Sequence, residues 1–207
     1  MNSQLATAQS LPEGYRKTGE FNIARDLKLL LVLNIIGFVL LIFCLSVLVR
    51  YTAFLRPHEA ADALSGSIDS PGGLLVWVGS LLLVIIVMIL MHEALHGLFF
   101  WVFTGKRPTF AVRLSYAYAA APGCFLSRGR YIIVGLAPLV ILTAAGLALI
   151  PFFPTVLLFF LILFTALNFA GAIGDMWVVG WLLRKSPASL VQDFGDRIEV
   201  YEPALPA

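Results

Sequence analysis

Four stretches of this chain, residues 29–49, 74–103, 131–150 and 154–183, hold only two charged side chains between them, Glu93 and Asp175. Crossing a bilayer takes about 20 apolar residues of helix, and each stretch is long enough. Backbone in lipid must satisfy its own polar groups, so such stretches fold as helices. The expected fold class is therefore an all-α polytopic membrane protein with four transmembrane helices. Composition agrees. Of 207 residues, 60% are hydrophobic and 13% are charged, which is about half the charged share of a soluble domain. So small a chain cannot hide that much apolar surface from water, and a disordered or collagen-like chain is excluded by the same figures. The net charge of +2 gives no argument for a nucleic-acid partner.

The expected organisation is an N-terminal segment over 1–28, an anchoring span over 29–49 and a loop over 50–73. A three-helix core over 74–183 and a tail over 184–207 follow. As straight helices the second and fourth stretches reach ~45 Å, so they tilt, kink or project beyond the lipid. The N-terminal segment is polar and has no short apolar core before a small-residue cleavage site, so it does not read as a signal peptide.

Loop charges predict orientation. Arg16, Lys17, Arg25 and Lys28 precede the first stretch; Lys106, Arg107, Arg113, Arg128 and Arg130 follow the second; Arg184, Lys185 and Arg197 follow the fourth. Four spans put these three segments on one side, and basic residues stay in the cytoplasm. The expectation is a multi-pass protein of the plasma (inner) membrane with both termini cytoplasmic. Cys44 and Cys124 read as free thiols. No repeat or low-complexity tract is present.

The second stretch contains His92-Glu93-Ala94-Leu95-His96. Histidines four apart share one face of a helix, so both imidazoles can reach one Zn²⁺. Glu93 beside them can take a proton from water activated by the metal. The competing reading is a histidine pair packed inside a bundle, with a glutamate facing a wet cleft. Ionisable groups in mid-membrane are costly and usually functional, which favours the metal. Zinc then needs a third protein ligand and an open position. Asp175 is the one other acid in any stretch, and it lies ~12 Å from the inner end of its helix, against ~10–17 Å for the histidines. The alternatives are a hydrogen-bonded structural Asp, or an Asp that orients a histidine without touching the metal.

Asn168, Gly171 and Asp175 follow i, i+3, i+7 spacing. Gly171 and Gly174 are expected to let this helix approach its neighbour closely. Asn168 is a candidate to hold a peptide carbonyl or an oxyanion, or else a plain interhelical hydrogen bond.

From Phe110 to Tyr118 apolar and small or polar residues alternate, which reads as a strand. Pro122-Gly123 reads as a turn and 124–127 as a short return. This is the expected re-entrant β-hairpin-like segment, and its edge is a candidate to hold an extended peptide. Tyr116 and Tyr118 are candidate substrate contacts or interfacial aromatics. His58 reads as a solvated loop histidine. Cys124 as a fourth ligand would close the metal site. The tail is too short to read as a domain.

These features together resemble the site-2 protease clan of intramembrane zinc metalloproteases, and more narrowly a related bacterial family of zincin-type peptidases. The resemblance covers roughly residues 74–183, with 29–49 as an addition. It implies cleavage of a membrane-embedded peptide, with His92, His96 and Asp175 on zinc and Glu93 as general base. The clan's Asp usually sits in Leu-Asp-Gly, with a proline after the Asn; here Gly174-Asp175-Met176 stands instead, with no proline between 168 and 175. No PDZ-like or other sensor domain is recognisable.

The leading expectation is a zinc endopeptidase acting on membrane proteins or peptides within or near the cytoplasmic leaflet. The alternative is a non-proteolytic membrane scaffold or sensor that keeps a structural metal site. A metal transporter would need more polar groups along a path than these stretches supply. Neither the substrate nor the oligomeric state is legible.

Overall fold

The computed structural model describes residues 7–22, 26–60, 70–112 and 117–204. Four helical segments among them are long and apolar enough to cross a membrane: Leu27–Leu55, Pro71–Thr104, Arg128–Leu149 and Thr155–Leu182. We number the helices α1 (Leu27–Leu55), α2 (Pro71–Thr104), α3 (Arg128–Leu149), α4 (Thr155–Gly171) and α5 (Ile173–Leu182).

Local chemistry sets the helix ends. The Leu29 N–H donates to the Asp26 carboxylate at 2.9 Å, so Asp26 caps α1. Ser70 does the same for α2, accepting from the Gly73 N–H at 3.0 Å. Pro71 fits the first position of that helix, where no N–H is needed. At the far end Gly105 takes φ +67, and its N–H donates to the Trp101 carbonyl at 2.8 Å, closing α2. The predicted fourth stretch is two helices. Ala172 interrupts it, with Asp175 in the first turn of α5.

The chain is not all-α. A five-stranded antiparallel sheet runs in the order β1-β5-β6-β7-β2, built from β1 (Thr7–Ala8), β2 (Tyr15–Asn22), β5 (Phe125–Ser127), β6 (Leu190–Asp193) and β7 (Arg197–Pro203). A second, two-stranded sheet pairs β3 (Thr109–Val112) with β4 (Ala117–Ala120). The expected hairpin-like segment is thus present in altered form. The alternating run is divided into β3 and β4, and the short return, β5, pairs with β1 and β6 rather than with β4. The N-terminal segment and the tail, for which no strand was expected, supply β1 and β2, and β6 and β7. β2 pairs with β7 and β1 with β5, far away in sequence, whereas β6 and β7 form a local hairpin whose signal is the alternation in β7.

Contacts divide the chain into two units. The first comprises Met1–Asn34, Glu93–Ala137 and Gly174–Ala207. Its sheet aligns Leu126, Val191 and Val200 in one row. All three are wholly buried, and they pack with Phe100, Tyr131, Val134, Val178 and Leu182 from the ends of three helices. Gly19 lies opposite Val200 beside a bulge in β2, and a Cβ there would meet the Trp181 and Lys185 side chains at 3.0 Å.

The second unit comprises Ile35–His92 and Pro138–Ile173. Its core is Leu48, Ile150, Leu158, Leu161, Ile162 and Ala166. A Cβ on Gly146 would lie 2.1 Å from the Thr165 hydroxyl, so glycine is required for that helix contact. A Cβ on Gly37 would lie 3.3 Å from the Ala170 carbonyl. The close approach expected at Gly171 and Gly174 does not occur, because a Cβ at either would meet nothing within 4 Å.

Candidate metal centre

His92 and His96 are one turn apart on the unbroken helix α2, and both are buried. Asp175 stands in the first turn of α5, where the helix dipole favours a carboxylate. The ligand atoms of His92, His96 and Asp175 all lie within 4.8 Å of one another. His96 Nε2 and Asp175 Oδ1 are 3.5 Å apart. Two atoms each 2.0–2.1 Å from a tetrahedral zinc would lie roughly 3.3 Å apart, so this spacing fits a shared ion.

Hydrogen bonds aim both rings. His96 Nδ1 is 2.9 Å from the Val134 carbonyl oxygen. A carbonyl only accepts, so Nδ1 carries the proton and Nε2 presents its lone pair. His92 Nδ1 is 3.0 Å from Asn168 Oδ1, which selects the same tautomer. The fully buried Asn168 donates its amide hydrogens to the Pro138 carbonyl and the Thr143 hydroxyl, each at 3.2 Å. Ligand histidines in zinc proteins are held this way, the ring nitrogen away from the metal donating to a carbonyl or carboxylate. Two imidazoles and one carboxylate form a donor set that suits zinc and leaves a position open.

Glu93 is half-buried in the turn that joins the two histidines. The face of α2 that includes Gly97 borders a cleft of about 290 Å³, also lined by Trp101, Arg107 and Phe110. A Cβ on Gly97 would strike the Phe110 ring at 2.4 Å, so this glycine lets β3 lie against α2.

The remaining candidates are placed elsewhere. The ring of Tyr118 covers Gly195, in the turn between β6 and β7, where φ is +94. Tyr116 lies outside the described residues. His58 is exposed. Cys124 is buried in the core of the first unit and Cys44 is half-buried; both are free thiols.

Two buried acids, Asp193 and Glu199, were not singled out from the sequence. Asp193, on β6, accepts hydrogen bonds from the Tyr131 hydroxyl and, at 2.6 Å, from the Gly195 N–H. Burial raises its carboxyl to about 6, against the opposing pull of those two bonds and of the nearby His96. The signal available was the alternation of Ile198 and Val200 with polar neighbours in β7, which would have implied a paired strand before it. Val134, Pro138 and Thr143 were also passed over, although a proline inside an apolar span is a visible mark.

Residues 85–191 match the model of a family described as "Putative zincin peptidase". The matched segment spans more than half of the chain and takes in His92, Glu93, His96, Asn168 and Asp175. No curated protein and no solved structure matches. With the geometry and the family match in agreement, the chain belongs to this zincin-type peptidase family.

Proposed function

We propose that the protein is a membrane-embedded zinc endopeptidase that hydrolyses peptide bonds of membrane proteins or peptides near the cytoplasmic leaflet. The observation that carries this reading is the convergence of His92, His96 and Asp175 within 4.8 Å, next to a glutamate in the same helical turn. Family membership supports the peptidase chemistry. The resemblance to the site-2 protease clan supports a membrane-embedded substrate, as does the placement of the histidines on a span-length helix.

His92, His96 and Asp175 would hold the metal, with Asn168 and the Val134 carbonyl keeping the two rings aimed. A zinc bound there supplies acidification of water and polarisation of the scissile carbonyl. Glu93 takes the proton from the attacking water and delivers it to the amide nitrogen as the C–N bond breaks. Asn168 serves as the anchor of His92 rather than as an oxyanion donor, since its amide is already engaged on three partners. A helical substrate must unwind first, because its own hydrogen bonds hide the carbonyls. The β3–β4 strands offer edges against which an extended peptide can pair. The basic loop segments favour cytoplasmic termini.

The test is Glu93→Gln in purified protein. It should retain zinc and lose cleavage by at least 10²-fold, in the range general-base catalysis contributes. Proteolysis at the wild-type rate would overturn the mechanism. Zinc binding with no cleavage of any membrane peptide by wild type, in cells or in vesicles, would favour the scaffold.

A further inference from the structure

Pro138 lies inside α3, well away from either helix end. Proline has no N–H, so the carbonyl four residues earlier loses its helical donor, and the ring crowds that carbonyl outward. The residue four earlier is Val134. Its carbonyl oxygen is the atom that His96 Nδ1 meets at 2.9 Å. The carbonyl of Pro138 itself accepts from Asn168 Nδ2 at 3.2 Å, and Asn168 Oδ1 in turn meets His92 Nδ1 at 3.0 Å. One proline-centred turn of α3 therefore serves both histidines, His96 directly and His92 through Asn168.

We propose that Pro138 is a positioning residue for the metal centre: by withholding an N–H from the Val134 carbonyl, it leaves that carbonyl available to fix the tautomer and direction of His96. The inference rests on His96 being a metal ligand. It reaches beyond that reading in assigning a function to a residue of another helix that touches neither metal nor substrate. An ordinary residue at 138 would let the helix claim the carbonyl in its own ladder. His96 Nδ1 would then compete with a well-aligned backbone donor, and the ring would lose its preference for Nε2 as ligand atom.

Pro138→Ala supplies the missing N–H with little change in volume. A purely structural proline and a positioning one predict different results, because alanine is the better helix former. Zinc affinity of the detergent-solubilised full chain, measured by competition with a chelator, should fall 10-fold or more, as loss of a histidine's supporting partner typically does. The unfolding temperature of the metal-free protein should hold or rise. Pro151→Ala, in the exposed turn after α3, should leave zinc affinity unchanged. Lactic acid placed at 138 by chain synthesis or suppression, lacking both ring and N–H, should restore wild-type affinity. Nitrogen NMR of the His96 ring in metal-free protein, at an alkaline pH where the imidazole is neutral, should show Nδ1 protonation in wild type and a mixture in Pro138→Ala. Equal zinc affinity in Pro138→Ala and wild type would overturn the proposal, as would an unchanged His96 tautomer. Wild type that takes up no zinc would instead defeat the metal reading itself, and the tautomer measurement would still decide the role of Pro138.

Discussion

The two units of this chain solve the same packing problem by different means. The second unit packs helix against helix, and its tightest contacts come from a missing side chain, as where Gly146 admits Thr165. Lipid tails are as apolar as leucine, so close van der Waals fit must replace the hydrophobic drive available in water. The first unit packs helix ends against a five-stranded sheet, with Leu126, Val191 and Val200 wholly buried. It is the more water-like of the two: its sheet carries the ion pair of Lys17 with Glu199 at 2.7 Å and the buried Asp193. Glu93, His96 and Asp175 belong to the sheet-bearing unit, and His92 and Asn168 to the helical one.

Breaking the sheet should therefore have the largest effect. Val191→Asp buries a carboxylate with no prepared partner and should cost several kcal/mol. Loss of the cooperative unfolding transition would register it. The expected contrast is Leu31→Ser on an exposed face of α1, which should change stability far less.

The glycine contacts give the next largest effect. Gly146→Val should destabilise by about 1–3 kcal/mol through overpacking against Thr165. Gly171→Ala meets open space and should be neutral or stabilise by up to about 1 kcal/mol. Thermal unfolding in one detergent compares the pair, and equal effects would remove the distinction drawn between close and open glycines.

A pH effect sharpens the comparison from the side of the sheet. Asp193 titrates near 6 when folded against an ordinary 3.8. Between those values the native state holds a proton that the unfolded chain has released, so stability falls as pH rises from about 4 to 6 and is level above. The burial shift corresponds to roughly 3 kcal/mol. Asp193→Asn should flatten that slope, as read from denaturation midpoints across the range; an unchanged slope would assign it to other groups.

Asn168→Ala removes three buried hydrogen bonds, so it should cost about 1–3 kcal/mol of stability and also lower zinc affinity by about 10–100-fold by releasing His92.

Legibility followed the range of the interactions. The four span-length helices were readable because they are continuous apolar runs, and their ends differ from expectation by one to six residues. The His92–His96 pair was readable because helical spacing is local. Asp175 was reachable because charge in a span is so scarce. The sheet was not, since β2 pairs with β7 across nearly the whole chain and β6 is buried at every position, without alternation. The break at Ala172 was hidden for a similar reason: an apolar run reads as continuous whether or not the helix is. Nor was the support of the histidines legible, because the Val134 carbonyl carries no residue identity. Pro138, which frees it, was visible but had no meaning until the fold placed it.

The central claim is that His92, His96 and Asp175 hold one metal ion. Elemental analysis of the purified full chain, alongside His92→Ala, His96→Ala and Asp175→Ala, tests it most directly. The account predicts one zinc per wild-type chain and less than a tenth of that in each variant, with folding retained. Wild type without zinc after reconstitution, or full zinc in the Asp175→Ala protein, would contradict it.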